Sequence, residues 1–157
     1  MKTIVRERYL ERIKALKDTP DIKIITGIRR SGKSNLMQAY INYLKSEFKD
    51  VNIIFIDFMD LEFEEIKEYH ALHKYVEDRY DKEKQNYLFV DEVQLCPNFE
   101  LAINSLYSKN KYDIYITGSN AFLLSDDLAT LFTGRYIEIH MFPFSFKEYC
   151  EYYSDQT

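Results

Sequence analysis

Positive charge is not in excess in this sequence: Lys and Arg number 21 against 26 Asp and Glu, for a net charge of −5. That balance removes the general electrostatic case for nucleic-acid binding and leaves only a local basic patch to support it. Cysteine is scarce as well. Cys96 and Cys150 lie 54 positions apart, which fits neither a disulfide framework nor a metal motif, so reduced buried thiols are expected. Long apolar runs are missing: a run such as Ile53 to Ile56 is far below the ~20 residues that a membrane-crossing helix needs. The amino terminus, Met1-Lys2-Thr3-Ile4-Val5-Arg6-Glu7, breaks into charge before a signal-peptide core can form. A cytoplasmic protein without a membrane segment is expected. What remains is 157 residues with 46% apolar and 30% charged side chains. That is the mixture of one globular domain able to bury roughly 70% of the surface its unfolded chain exposes.

Glycine is equally sparse, and its positions punctuate the chain. Gly27, Gly32, Gly118 and Gly134 each lie at the end of an apolar run. Residues 22–27 (IKIITG) are apolar and β-branched, and Leu36, Met37, Tyr40, Ile41 and Leu44 recur at helical spacing through residues 33–48. This reads as strand, loop, helix. The pattern repeats with a buried strand over 52–58 and a helix over 61–80 carrying Leu61, Ile66, Tyr69, Leu72, Val76 and Tyr80 on one side. A third strand follows at 87–91, then a helix to about Lys109 with Pro97 in its first turn. A fourth strand fits 112–117, a further helix 121–132 and a fifth strand 136–142. Continuous apolar strands alternating with helices predict a parallel sheet covered on both faces, because a parallel strand needs a crossover helix to return. The expected fold is three-layer α/β.

Ahead of the first strand, Val5, Tyr9, Ile13 and Leu16 predict an amphipathic helix that ends near Pro20 and packs on the sheet domain. The division is therefore a helix over residues 1–20 and an α/β core over 21–157, in one domain. The charged stretch from Asp60 to Lys84 contains both signs and reads as a solvated helix face. His70 and His73 can share one helical face but have no third ligand nearby. The 14 tyrosines are spread through strands and helices, as core and rim packing requires.

Gly27-Ile28-Arg29-Arg30-Ser31-Gly32-Lys33-Ser34 is a full G-x-x-x-x-G-K-[ST] match placed between strand and helix. The glycines allow successive backbone N–H groups to face inward, and the helix starting near Lys33 offers its unsatisfied amides and positive dipole end to the same spot. A polyphosphate is the expected ligand. Lys33 would reach its β- and γ-phosphates and the Ser34 hydroxyl would ligate Mg²⁺. Arg29 and Arg30 either add positive charge beside the phosphates or point to solvent. Asn35 closes the candidate nucleotide-binding run, with no role of its own that its chemistry dictates.

Tyr87-Leu88-Phe89-Val90-Asp91-Glu92 is an apolar strand ending in two acids. A carboxylate there can hold the Mg²⁺ hydration shell, which is the role read for Asp91, while Glu92 would orient and activate an attacking water. A third apolar strand ends in Thr117-Gly118-Ser119-Asn120. Thr117, Ser119 or Asn120 could hold the water or touch the γ-phosphate, or the run is an ordinary turn. Arg135, just before the fifth strand, either stabilises charge on a transferring phosphoryl group or flanks the strand edge.

These four elements in this order resemble the AAA+ superfamily of P-loop ATPases. They are closer still to a group of prokaryotic AAA+-like ATPases that share a GxRRxGKS loop, a DEVQ Walker B, a TGS sensor, an LxGR segment and a MFPFSFxEY end. Here these stand at Gly27 to Ser34, Asp91 to Gln94, Thr117 to Ser119, Leu131 to Arg135 and Met141 to Tyr149. The resemblance implies a sheet in the order 5-1-4-3-2, with ATP and Mg²⁺ as ligands. It also implies Glu92 as catalytic base, Ser119 as first sensor and Arg135 acting on a neighbouring subunit's ATP, hence a homo-oligomer. Such proteins continue into a helical lid and, in this group, a C-terminal domain. A chain that stops at Thr157 is expected to be the N-terminal part of a longer protein. The expected function is an ATPase domain that couples hydrolysis to conformational change in a larger protein with an effector partner. The rivals are a nucleotide-dependent switch with little turnover and a small-molecule kinase, which would need an acceptor pocket and a mobile Arg-rich lid.

Overall fold

The computed structural model describes residues 2–27, 32–119, 131–132 and 135–141, with side chains from residue 7 onward. Its elements in chain order are α1 (Lys2–Ala15), β1 (Ile22–Gly27), α2 (Lys33–Glu47), β2 (Val51–Asp57), α3 (Tyr69–Asp78), β3 (Gln85–Asp91), α4 (Phe99–Ser108), β4 (Tyr112–Ser119) and β5 (Tyr136–Met141). The five strands form one sheet in the order β2-β3-β4-β1-β5, with every pairing parallel. This is the 5-1-4-3-2 order implied by the resemblance, read from the other edge.

The sheet is apolar on both faces because each central strand alternates between two cores. Ile22, Ile24, Leu88, Val90, Ile114 and Ile116 face Leu72 and Val76 of α3 and Phe99, Ile103 and Leu106 of α4. Ile25, Tyr87, Phe89, Tyr115 and Ile139 face Ile13 of α1 and Leu36, Met37, Tyr40, Ile41 and Leu44 of α2. A period of two along strands that are buried on both sides gives near-continuous apolar runs. Those runs made the strands legible, and the three layers follow. No helix among the described residues is long and apolar enough to cross a membrane.

The boundaries differ from expectation where side chains cap the backbone. The helix expected over 61–80 is two pieces, a 3₁₀ helix at Leu61–Ile66 and α3. Asp60 caps the first through Glu62 N–H, and Glu68 caps the second by accepting from the N–H groups of His70 and Ala71 at 2.9 and 3.0 Å. Two cap residues inside one periodic run split it. Pro97 does not open the next helix: α4 starts at Phe99 after Asn98, and a 3₁₀ turn at Val93–Leu95 takes up the preceding residues. α1 ends at Ala15, short of Pro20, because Thr19 Oγ bonds Leu16 O at 2.7 Å and Asp18 takes a left-handed backbone. β4 runs two residues further than expected, through Ser119. The helix expected at 121–132 lies outside the described residues except for its end, Leu131 and Phe132.

The amino ends of the strands carry a buried polar network. Lys23 is fully buried, and its ammonium donates to Asp113 Oδ1 at 2.6 Å and to Thr19 O at 2.5 Å. Asp113 Oδ2 accepts from Tyr115 OH and from Asp18 N–H, and Tyr115 OH meets Tyr40 OH at 2.9 Å. The network ties the turn after α1 to the sheet, which fixes how the N-terminal helix docks.

A buried ion pair is costly to break from one side, because the surviving charge stays unpaired. Lys23→Met is therefore expected to lower stability by about 3–5 kcal/mol. Lys23→Met combined with Asp113→Asn should recover a large part of that, since no unpaired charge is left. Urea unfolding checks both, and a single-variant loss below about 1 kcal/mol would mean that the pair is not buried as described.

Candidate functional site

The carboxyl ends of β3, β4 and β1 lie side by side, so the residues that follow these strands converge. Gly27 ends β1 and stands in register with Ser119 of β4. β4 separates β1 from β3, which sets the phosphate loop and the Asp91–Glu92 pair two strand spacings apart, about 10 Å. Of the loop, Gly27, Gly32, Lys33, Ser34 and Asn35 are described, while Ile28, Arg29, Arg30 and Ser31 lie outside the described residues.

Gly32 is the N-cap of α2 with φ 94° and ψ 16°. Among the described residues, a Cβ there would meet the end of Met141 at 3.7 Å, an ordinary contact. The left-handed backbone, not crowding, is thus what favours glycine. Leu36 N–H closes the first turn onto Gly32 O at 2.9 Å. The N–H groups of the residues between them are the ones a helix start leaves without intrahelical partners. Lys33 is 4% exposed and donates to Gly27 O at 2.8 Å across the mouth of the loop. Burial lowers its pKa, and the carboxylates of Glu92 and then Asp91 oppose that shift. Ser34 and Asn35 are exposed at the start of α2.

On the other side of β4, Asp91 is 4% exposed. Thr117, fully buried on β4, donates its hydroxyl hydrogen to Asp91 Oδ1 and accepts the N–H of Glu92 at 2.9 Å. One side chain thereby orients both acids. Of Thr117, Ser119 and Asn120, the structure places Thr117 on the acid pair and Ser119 half-buried beside Gly27; Asn120 lies outside the described residues. Glu92 leaves β3 in a left-handed backbone, and its carboxylate accepts from Gln94. Asp57 ends β2 in register with Asp91. Burial raises its pKa first, and Asp91, Asp60 and Glu92 push the same way. Three strand-end carboxylates therefore crowd one edge of the site, opposite a single buried ammonium.

Arg135 is elsewhere. It precedes β5 at the amino ends of the strands, 79% exposed and paired with Asp21 at 3.2 Å, and its carbonyl accepts from Ile22 N–H. Five residues of β5 separate that end from Met141 beside Gly27, roughly 16 Å. Of the expected site residues, the structure brings Gly27, Lys33, Asp91, Glu92 and Ser119 together and sets Arg135 apart. His70 and His73 are engaged otherwise, with Glu68 at 2.7 Å and with Ser105 Oγ at 3.0 Å. Two residues at the site had no role from the sequence. Asp57 was legible as a strand-end acid in register with Asp91 only once the strand pairing was known. Gln94 is in contact because Glu92 turns back, which composition and periodicity do not encode.

A family model described as an AAA domain matches residues 19–150. An uncharacterized protein of Haemophilus influenzae is 39% identical over 148 residues, covering 93% of this chain and 37% of the relative. The chain thus spans little more than a third of that relative's length. Among solved structures, DnaA from Aquifex aeolicus with AMPPCP bound is similar at a TM-score of 0.58 and 20% identity, over 96% of this chain and 48% of that one. Pif1 helicase from Candida albicans is similar at a TM-score of 0.60 and 13% identity, over 96% and 42%. Both likenesses are of fold.

Thr117→Val keeps the shape of the side chain and deletes both of its hydrogen bonds, leaving a buried carboxylate and a backbone N–H each short of a partner. The expected loss is about 1–3 kcal/mol, with Thr117→Ser close to wild type. Denaturant unfolding of the two variants checks this, and equal stability of Thr117→Val and wild type would remove Thr117 from the role of orienting the acids.

Proposed function

Because the chain belongs to the AAA-domain family of P-loop ATPases, we propose that it binds Mg·ATP across the carboxyl ends of β1, β4 and β3 and hydrolyses it. The fold is that of a nucleotide-binding domain of ATPase type. The observation that carries hydrolysis is the placement of the buried Lys33 ammonium opposite an Asp91–Glu92 pair that Thr117 holds in place.

In this reading the run from Gly27 to Asn35 wraps the triphosphate with backbone N–H groups, and Lys33 exchanges the Gly27 carbonyl for β- and γ-phosphate oxygens. Ser34 and Asp91 would hold Mg²⁺. The fit is chemical: they are hard oxygen donors, and Mg²⁺ usually takes one or two protein ligands and completes its shell with water and phosphate oxygens. Asp57 stands in register with Asp91, and after burial, the first cause of its raised pKa, the charges of Asp91, Asp60 and Glu92 push the same way; such a gathering of carboxylates suits a divalent cation. The bound cation supplies charge neutralisation to the phosphates. Glu92 accepts a proton from the water whose oxygen bonds to the γ-phosphorus while the bond to the ADP oxygen breaks. Ser119, beside Gly27, is placed to contact the γ-phosphate side of the loop. The relatives' greater length supports coupling of this turnover to further parts of a larger protein.

Lys33→Ala is expected to weaken ATP binding strongly, because the charge that meets two phosphates is lost. Glu92→Gln should keep ATP bound and lower turnover by at least about a hundredfold. Titration calorimetry and phosphate release measure the two. An affinity within threefold of wild type for Lys33→Ala would sink the phosphate-loop assignment, and wild-type turnover by Glu92→Gln would point to a switch or a kinase.

Arg135 faces solvent far from this chain's own site, so a part in hydrolysis requires the site of a second copy. Such a finger contributes about 10³ to 10⁵ in rate. Arg135→Ala and Glu92→Gln, each inactive alone, should regain activity when mixed, because mixed assemblies contain sites with an intact base and an intact finger. Full activity of Arg135→Ala alone would leave Arg135 as the partner of Asp21 and nothing more.

A further inference from the structure

The turn after β3 holds an interaction that the proposed chemistry does not by itself require. Glu92 adopts φ 56° and ψ 53°, a left-handed backbone that is unfavourable for a residue with a side chain. Such strain persists only where the surroundings over-determine it. Two hydrogen bonds do so here: Glu92 N–H to Thr117 Oγ1, and Leu95 N–H to Glu92 O at 3.1 Å. The consequence is a reversal of the chain. Val93 enters the core, fully buried, and Gln94 returns along the turn so that its Nε2 donates to Glu92 Oε2 at 2.5 Å.

The amide orientation is fixed by charge. Rotating it by half a turn would set Gln94 Oε1 against a carboxylate oxygen, acceptor to acceptor. In the orientation adopted, Oε1 is buried without a hydrogen-bond partner among the described residues. The bond from Nε2 to Glu92 Oε2 is thus the contact that sets the orientation of the amide. Glutamate has three rotatable side-chain bonds, and a displacement of about 1 Å in a reacting group costs on the order of 10²-fold in rate. A donor on Oε2 restricts that freedom by fixing one oxygen of the carboxylate.

We infer that Gln94 is a positioning residue for hydrolysis, holding Oε2 of Glu92 so that Oε1 is aimed at the attacking water. The inference rests on the proposed role of Glu92 as the base. Gln94 itself touches neither the nucleotide nor the water. Its bond to Glu92 spans only two residues of one turn, so removing it disturbs the base without disturbing the phosphate loop.

Gln94→Met keeps the length and burial of the side chain and removes the donor; Gln94→Glu keeps the shape and replaces the donor with a like charge. With Mg·ATP, kcat should fall about ten- to a hundredfold for Gln94→Met and further for Gln94→Glu, the usual cost of losing an orienting partner. KM, and ATP affinity by calorimetry, should stay within about threefold of wild type. In a Glu92→Gln background Gln94→Met should add less than about twofold, because it acts through the same group. A readout that needs no turnover accompanies these: the Gln94 side-chain amide proton donated to Glu92 should be displaced from its free-glutamine position in the NMR spectrum and return to it in Glu92→Ala. A kcat for Gln94→Met at or above wild type, a full multiplicative loss in the Glu92→Gln background, or Gln94 amide protons in wild type that do not move in Glu92→Ala each overturn the inference. A wild type that releases no phosphate overturns the hydrolysis reading and takes this role with it. An active wild type matched by Gln94→Met overturns the role of Gln94 alone.

Discussion

The insertion of β4 between β1 and β3 is the constraint on which the rest of the site depends. Sequential pairing would have put the strand after the phosphate loop beside it; here the neighbour of β1 is the fourth strand. The loop and the acid pair are thereby held about 10 Å apart, a gap of the size of a triphosphate with its metal. A single side chain of the inserted strand, Thr117, reaches back to orient both acids, and a second, Ser119, stands level with Gly27. Ligands of open α/β sheets bind beyond the carboxyl ends of the strands where the strand order reverses, and here that point lies between β1 and β4. Geometry at the site is thus a property of strand order first and of side chains second.

The sheet has a polar network at each end, and the two are built differently. At the amino ends, Lys23 is matched by Asp113 and Thr19 O, and Asp113 in turn by Tyr115 and Asp18. That network closes on itself and fastens α1. At the carboxyl ends, Lys33 is as deeply buried but bonds to a backbone carbonyl, while Asp91, Glu92 and Asp57 gather on the far side of β4. Opposite charges are near enough for the acids to act on Lys33 through space. The first arrangement fastens a helix to the sheet; the second gathers charge of both signs around the end of β4.

Most of the fold was legible because the strands are buried on both faces. Residues 22–27 read as continuous β-branched apolar sequence and occupy the strand predicted from them, and the register of the other strands shifted by no more than two residues. Legibility failed where a polar side chain competes with periodicity. Glu68 lies within an apolar repeat of helical spacing, and nothing in that repeat announces that its carboxylate will cap two N–H groups and start a new helix. Pro97 is a frequent first-turn residue, but Glu92 had already reversed the chain and displaced the helix start. In the site, Lys33 and the acid pair were readable from spacing because a phosphate loop imposes its pattern on consecutive residues. The choice among Thr117, Ser119 and Asn120 was not, since it depends on which strand face meets β3. Gln94 was unreadable for the same reason: its contact follows from one dihedral angle at Glu92.

Under the proposed function, the arrangement at the carboxyl ends also bears on how affinity and turnover would separate. Burial has already lowered the pKa of Lys33, so part of the cost of stripping water from its ammonium is met before a nucleotide arrives. In the proposed function phosphate oxygens would then interact with it in a poorly screened environment, where charge pairs are worth more than in water. That gain is made in the ground state, and it belongs to binding. The acids lie across β4, tied to Thr117 and Gln94 and not to the loop. In the proposed function a change at Asp91 would reach the phosphates through Mg²⁺, whereas a change at Glu92 would bear on where a proton can go. A site divided by a strand in this way would, in the proposed function, give capture to the side of Lys33 and chemistry to the side of Glu92, with β4 and its Thr117 holding the second side in place.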